Sequence, residues 1–167
     1  MDSNTPSLTY MRVKGSTQGA FLDDSSRAGG GRSLCHAVRF RGEVPHDVRK
    51  TGAYAVTQHE PISVLAEWGT VTVQFLTALW NNETLDEVEF DFVRSNPGGH
   101  EVTYATLTLK KATVAYAELR SGATQDLLAG DHHALHLIGL RAEKIEFKVK
   151  GPAGDATANY DQKAGGS

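Results

Sequence analysis

The sequence predicts a mainly β domain, a small antiparallel barrel or sandwich that carries one helix. Three observations predict it. Apolar residues recur with period two along most of the chain, one segment alone shows a helical stripe, and successive segments follow at hairpin-like spacing. At 167 residues the chain is long enough for a single domain with its own core.

Taken in order, Leu8, Tyr10 and Arg12 alternate with Thr9, Met11 and Val13 as a first strand. A second runs over 34–41, with Leu34, His36, Val38 and Phe40 on one face and Cys35, Ala37, Arg39 and Arg41 on the other. In GTVTVQFLTALWNNE, Phe75, Leu76, Leu79 and Trp80 form one helical stripe, which predicts a helix of about three turns ending at Asn81-Asn82. Its opening, Val71-Thr72-Val73, is β-branched and equally compatible with a strand. On that stripe Trp80 is expected in the core. VEFDFVR sends Val88, Phe90 and Phe92 to one face and Glu89 and Asp91 to the other. In EVTYATLTLKKATVAYAEL, Ala105, Leu107 and Leu109 make the more apolar line opposite Val102, Tyr104, Thr106 and Thr108. Lys110-Lys111 breaks that pattern, which predicts a bend or bulge there. Ile138, Leu140 and Ala142 share one parity and Ile145, Phe147 and Val149 the other, so a second bulge is expected near Glu143-Lys144. Residues 1–7 and 151–167 are polar and rich in small residues, and both read as flexible tails flanking a domain over 8–150.

Composition narrows the function. Seventeen Lys and Arg against twenty Asp and Glu give a net charge of −3, without the basic excess of a nucleic-acid binder. No apolar run reaches the ~18 residues of a membrane span, and the opening MDSNTPSLTYMRVKG lacks a secretory signal pattern. The single cysteine, Cys35, can form no intrachain disulfide.

Candidate chemistry is sparse. Asp131-His132-His133-Ala134-Leu135-His136 gathers metal-ligand types. However, His133 stands where a zinc-protease motif needs its general-base Glu. The three histidines are therefore expected on a solvated turn, where replacing them together with Ala leaves folding nearly unchanged. Strand geometry sends Cys35 and His36 to opposite faces, and no nucleophile elbow is present. The pairs Asp23-Asp24 and Asp86-Glu87 read as solvated carboxylates. Trp68 with the Gly29–Gly31 loop is the alternative carbohydrate- or ligand-binding site of a monomeric β domain. Neither a cofactor nor a catalytic residue is assigned.

Read as a unit, His59 to Val149 is more specific. HEPISVLAEW opens a strand, LTALWNNETLDEV leaves a helix, VEFDFVR and EVTYATLTLKKATV follow around a Gly-Gly turn, and LIGLRAEKIEFKV closes the domain. YMRVKGSTQG supplies a matching first strand. This order resembles the haemolysin-coregulated protein (Hcp) family, the tail-tube subunits of type VI secretion systems. Phe147 stands where the family's closing motif carries Trp, and residues 21–33 match weakly. The resemblance implies a two-sheet antiparallel β-barrel with one packed helix, as in phage tail tubes, and a non-enzymatic role. It further implies hexameric rings that stack into a tube within a contractile sheath. Its implied partners are other copies of itself, sheath and baseplate proteins, a VgrG spike protein at the tip and effectors in the lumen, with no nucleic acid and no membrane insertion. Such a protein is made in the cytoplasm and secreted without a signal peptide. For ring closure, the second faces of strands 34–41 and 102–109 are the expected contacts. In the segment 43–58, His46, Asp47, Arg49, Lys50 and Tyr54 are the expected ring-to-ring contacts, because a connection of that length with packable and charged residues is usually functional.

Overall fold

The computed structural model describes residues 7–22, 31–43, 58–121 and 134–162. The five residues expected to join rings lie outside the described residues, as do Asp23, Asp24, Gly29, Gly30, His132 and His133. The described strands are β1 (Leu8–Gly15), β2 (Gly19–Ala20), β3 (Ser33–Cys35), β4 (Ala37–Arg39), β5 (Gly42–Glu43), β6 (Gln58–His59), β7 (Ile62–Glu67), β8 (Leu85–Ser95), β9 (Glu101–Arg120), β10 (Leu135–Gly151) and β11 (Gly154–Asp161), with one helix, α1 (Thr70–Trp80), between β7 and β8.

All pairings are antiparallel. One nine-stranded sheet runs β2-β1-β8-β9-β10-β7-β4, with β3 also on β1 and β11 also on β10, and β5 and β6 form a separate ribbon. The expected second strand is thus two short ones. β3 pairs with β1 and β4 with β7, while the His36 N–H between them donates to the Leu65 carbonyl at 2.8 Å. The run 33–39 therefore touches both ends of the sheet, and its faces switch at His36: Cys35 is buried, and Val38 packs on the core from the next strand. No ladder among the described residues joins β1 to β7 directly, so an uninterrupted barrel is not seen. What holds is an antiparallel β architecture bent over one core, with α1 packed beside β9.

The alternation in β8 and β9 places Val88, Phe90, Leu107 and Leu109 inside as expected. The two expected bulges turn out to be one feature. Leu85, Ala112 and Ala142 share a rung, and Glu87, Lys110 and Lys144 share another. Between them, Asp86, Lys111 and Glu143 drop out of the ladder, and Lys111 adopts a φ of 52°. Register between β9 and β10 is the same on both sides of this gap. All three strands thus exchange their faces across one line, and neither strand carries an extra residue there relative to its neighbour. True register shifts lie elsewhere, at Lys14/Gly15, Phe92/Val93 and Gly139/Leu140.

The C-terminal segment corrects the tail reading. Gly154–Asp161 pairs with β10 along its whole length, from Gly151↔Gly154 to Lys144↔Asp161. Pro152-Ala153 makes the two-residue turn, with Gly154 at a φ of 127° that other residues rarely adopt.

The helix corrects the stripe. Its buried residues are Val71, Thr72, Phe75 and Ala78, so the core face is rotated toward the N-terminus. Trp80 is 75% exposed instead of buried. The exit is a Schellman turn: Asn82, at a φ of 50°, is followed by the Glu83 N–H donating to the Ala78 carbonyl at 2.8 Å. Glu83 is itself buried, and its carboxylate accepts from the Thr17 and Gln18 N–H groups, both at 2.8 Å, and from the Gln18 amide at 2.7 Å. Burial pushes its pKa up, but the Gln18 and Thr17 hydrogen bonds outweigh that and hold it below the usual Glu range. A Cβ on Gly15 would overlap this carboxylate, which explains a glycine within β1. Glu83→Ala should therefore cost about 2–3 kcal/mol in a urea titration near neutral pH, since the turn after β1 loses a charged acceptor. Because its folded pKa is depressed, that contribution is present above the ordinary carboxylate range and lost as pH falls through it.

Candidate assembly surfaces

No described cluster has catalytic or metal-binding form. No group of three His, Cys, Asp or Glu side chains converges among the described residues. Cys35 is buried, which pushes its thiol up to about 12 and leaves it without thiolate character at neutral pH. His36 turns outward beside Glu67 at 3.1 Å. Asp86 pairs with Lys111 at 3.1 Å and Glu87 with Lys110 at 2.7 Å across β8 and β9. Trp68 is half-exposed, but its indole N–H donates to the Leu135 carbonyl at 2.7 Å, which fixes the ring against β10.

His136 departs from its expected place. It is fully buried under α1, with Nδ1 2.7 Å from the Thr72 hydroxyl and its ring edge-on to Phe75 at 6.2 Å. Thr72 in turn accepts from the Gly69 N–H at 3.0 Å, so the histidine anchors the start of the helix. Burial lowers its pKa from 6.5 to about 4. The folded protein refuses a proton that the unfolded chain accepts, so stability is complete above about pH 6.5 and declines as pH falls from there toward 4. By the usual conversion the whole loss is about 3 kcal/mol. Urea midpoints measured across that window should fall for the native chain and fall less for His136→Gln. Replacing His136 by Ala is accordingly not a neutral surface change.

What the molecule presents instead is three surfaces of different character. The outward face of the long strands is charged and internally paired. Arg12 contacts Glu89 and, at 3.0 Å, Asp91, while Lys144 meets Asp161 at 3.2 Å. The second surface is the outer side of α1, whose sequence TVTVQFLTALW contains no charge. Val73 is 63% exposed there, with Trp80 two turns further and Leu22 beside Gln74, whose side chain accepts the Leu22 N–H at 2.8 Å. The third is an overhang. Beyond Ile145, which is in the core, β10 and β11 carry the same face outward past the packed region. Phe147 lies opposite Ala158 and Val149 opposite Ala156, with Phe147 and Val149 42% and 37% exposed.

Sequence reasoning placed the exposed apolar residues on strands 34–41 and 102–109. Phe40 and Val102 are exposed there, but the rest of the second face of β9 is half-buried Tyr104, Thr106 and Thr108, and the exposed apolar pairs on α1 and β10 lie elsewhere. The absence of any charge over 70–80 was the legible signal for the helix face. The overhang is only half legible, because Phe147 and Val149 share the parity of the core residue Ile145 while residues 151–167 read as a tail.

Comparisons with known proteins agree with this geometry. A family model described as type VI secretion system effector, Hcp, matches residues 10–149. No curated protein matches. Among solved structures, the chain is similar to an Hcp protein at 20% identity, covering 94% of this chain and 98% of that one, with a TM-score of 0.81. It is also similar to the Hcp1 protein of the E. coli EAEC 042 pathovar at 18% identity, covering 93% and 98%, with a TM-score of 0.78. The secreted protein Hcp3 from Pseudomonas aeruginosa follows at 19% identity, covering 93% and 98%, with a TM-score of 0.70.

Proposed function

The chain belongs to the Hcp family of type VI secretion proteins, which are structural and not enzymatic, and from that premise we propose that it is a tail-tube subunit. Six copies close into a ring, rings stack into a tube, and a contractile sheath expels the tube. The observation that carries this reading is the pair of unlike, uncharged surfaces on one subunit. A ring needs a heterologous contact, in which one patch of each copy meets a different patch of the next. The helix face of Leu22, Val73 and Trp80 and the overhang of Phe147, Val149, Ala156 and Ala158 are two such patches. Their mating would cover Leu22, Val73, Trp80, Phe147 and Val149 at once, half of the large exposed apolar side chains among the described residues. The charged sheet face would then stay in contact with water.

Stacking falls to the segment between β5 and β6, through His46, Asp47, Arg49, Lys50 and Tyr54. A contact built on a few charged residues is small and screened by salt over about 8–10 Å. In this role the partners are further copies of the chain, the sheath and baseplate, a VgrG spike at the tip and effector proteins carried in the lumen. The tube is assembled in the cytoplasm and delivered outside the cell.

Light scattering tests the ring directly: a stable 18.0 kDa particle at micromolar concentration would overturn it, and a mass near six times larger supports it. Replacing residues 46–55 by a short Gly-Ser linker should abolish stacked tubes in electron micrographs while leaving single rings. Dissociated, destabilised subunits would defeat the stacking role.

A further inference from the structure

Of the buried polar side-chain atoms among the described residues, Nε2 of His136 is the one without a hydrogen-bond partner. The ring is sealed beneath the first turn of α1. Its Nδ1 lies 2.7 Å from the Thr72 hydroxyl oxygen, which also accepts the Gly69 N–H at 3.0 Å. A neutral imidazole brings one hydrogen and the hydroxyl another, yet a single contact joins the two groups. One hydrogen is therefore left over, on Nε2 or on the hydroxyl. An imidazolium would leave two, together with a charge.

No described group around the ring offsets that charge. α1 carries no charged residue, and the positive end of its dipole lies at the turn above the ring. β7 places Ala66 opposite His136, and the neighbouring Glu67 turns outward to His36 at 3.1 Å. β9 places Leu119 there, flanked by Glu118 and Arg120, which are exposed and pair with each other at 2.7 Å. The two buried carboxylates are engaged elsewhere, Glu83 by the turn after β1 and Asp91 by Arg12. We propose that His136 is an acid-operated latch for α1. Neutral, it seats the helix on the sheet; to keep a proton it must meet water, and the helix must lift first.

Lifting α1 alone is enough to wet Nε2. The helix covers the ring through Thr72 and Phe75. The strands on either side of His136 are held to β10 by their own backbone ladders, which the lift leaves in place. Acid opening is thereby confined to one element before the domain as a whole gives way. Under the seated helix the ring takes a proton only near pH 4, against 6.5 once freed. At about pH 4.5 the lifted state therefore gains on the order of a hundredfold. The latch lies within one subunit and stands whether or not α1 closes a ring.

Amide hydrogen exchange tests the latch, read at about pH 7.5 and about pH 4.5 as protection factors, which remove the intrinsic pH dependence of exchange. The Phe75, Leu76 and Ala78 amides of α1 should be less protected than those of Leu107 and Leu109 in β9 at both values. In acid their protection should fall on the order of a hundredfold, and hardly at all in His136→Gln, which takes up no proton. Equal protection in helix and strand at each pH overturns the latch. So does helix protection that acid leaves unchanged, or lowers equally in the variant. The native chain decides the matter even where the variant fails to fold. At the acid pH its helix amides should exchange with a shallow urea dependence, since a local lift exposes little surface. Leu107 and Leu109 should keep the steep slope of whole-domain unfolding. One common slope overturns the proposal.

Discussion

Charging the helix face of the proposed ring contact by Val73→Glu and Trp80→Glu together should leave a folded monomer. Both side chains point outward, so each change should cost the subunit no more than about 0.5 kcal/mol. In an assembled contact the same carboxylates would be buried against Phe147 and Val149 without partners, at a cost of several kcal/mol each. Light scattering should then read 18.0 kDa with an unchanged far-ultraviolet dichroism spectrum. Phe147→Glu with Val149→Glu should do the same from the other side. Mixing the two variants gives a sharper result. One retains an intact overhang and the other an intact helix face, so a heterologous contact predicts a one-to-one heterodimer that goes no further. Two monomers that ignore each other, or variants that still close into rings, would sink the pairing of these patches.

Phe75→Ala should produce the largest loss of subunit stability, about 3–5 kcal/mol. Phe75 is fully buried, stacks edge-on with Phe21 at 5.3 Å and packs on the His136 ring. A loss of that size is a large fraction of the total stability of an ordinary domain. It is best measured on the monomeric helix-charged variant, where assembly contributes nothing to the folded state. Gln74→Ala, one residue earlier and half-turned to solvent, provides the contrast at well under half that cost. Equal losses at the two positions would mean that the helix is not seated as described.

Local pattern carried the reading wherever one face of a strand meets the core. In Val88–Phe90 and in Ala105–Leu109 the alternation is itself the burial pattern, so the residues state their own orientation. From Asp91 onward it breaks at the register shift between Phe92 and Val93, and Asp91 and Val93 are buried. The helix shows where pattern misleads. Phe75 and Leu79 were counted together with Trp80 by size, whereas the sheet receives the side of the helix that carries small Thr72 and Ala78. A bulky residue at the last turn overhangs the packed region and remains outside. β11 was invisible for a different reason. GDATANYD buries little and is held by backbone pairing to β10, which no side-chain pattern records. Its only local mark is the Gly-Pro-Ala-Gly turn. The assembly surfaces were harder still, because surfaces that mate between copies are written into no single strand. His59 belongs to the HEP sequence that helped to suggest the family, yet its ring lies 3.1 Å from the Ala142 carbonyl oxygen on β10, a contact that no local pattern records.

The line through Asp86, Lys111 and Glu143 also sets what kind of change this lineage can tolerate. Inside and outside are exchanged on three neighbouring strands at one rung. A one-residue deletion in any one of them would invert every side chain beyond the line on that strand alone, and set it against two neighbours still in the old phase. Substitutions carry no such penalty as long as polarity is kept. Residue identity is therefore free to drift while strand length is locked, much as a reading frame outlives the synonymous changes within it. The Hcp protein at 20% identity, where 94% of one chain overlays 98% of the other, keeps the fold with most residues changed.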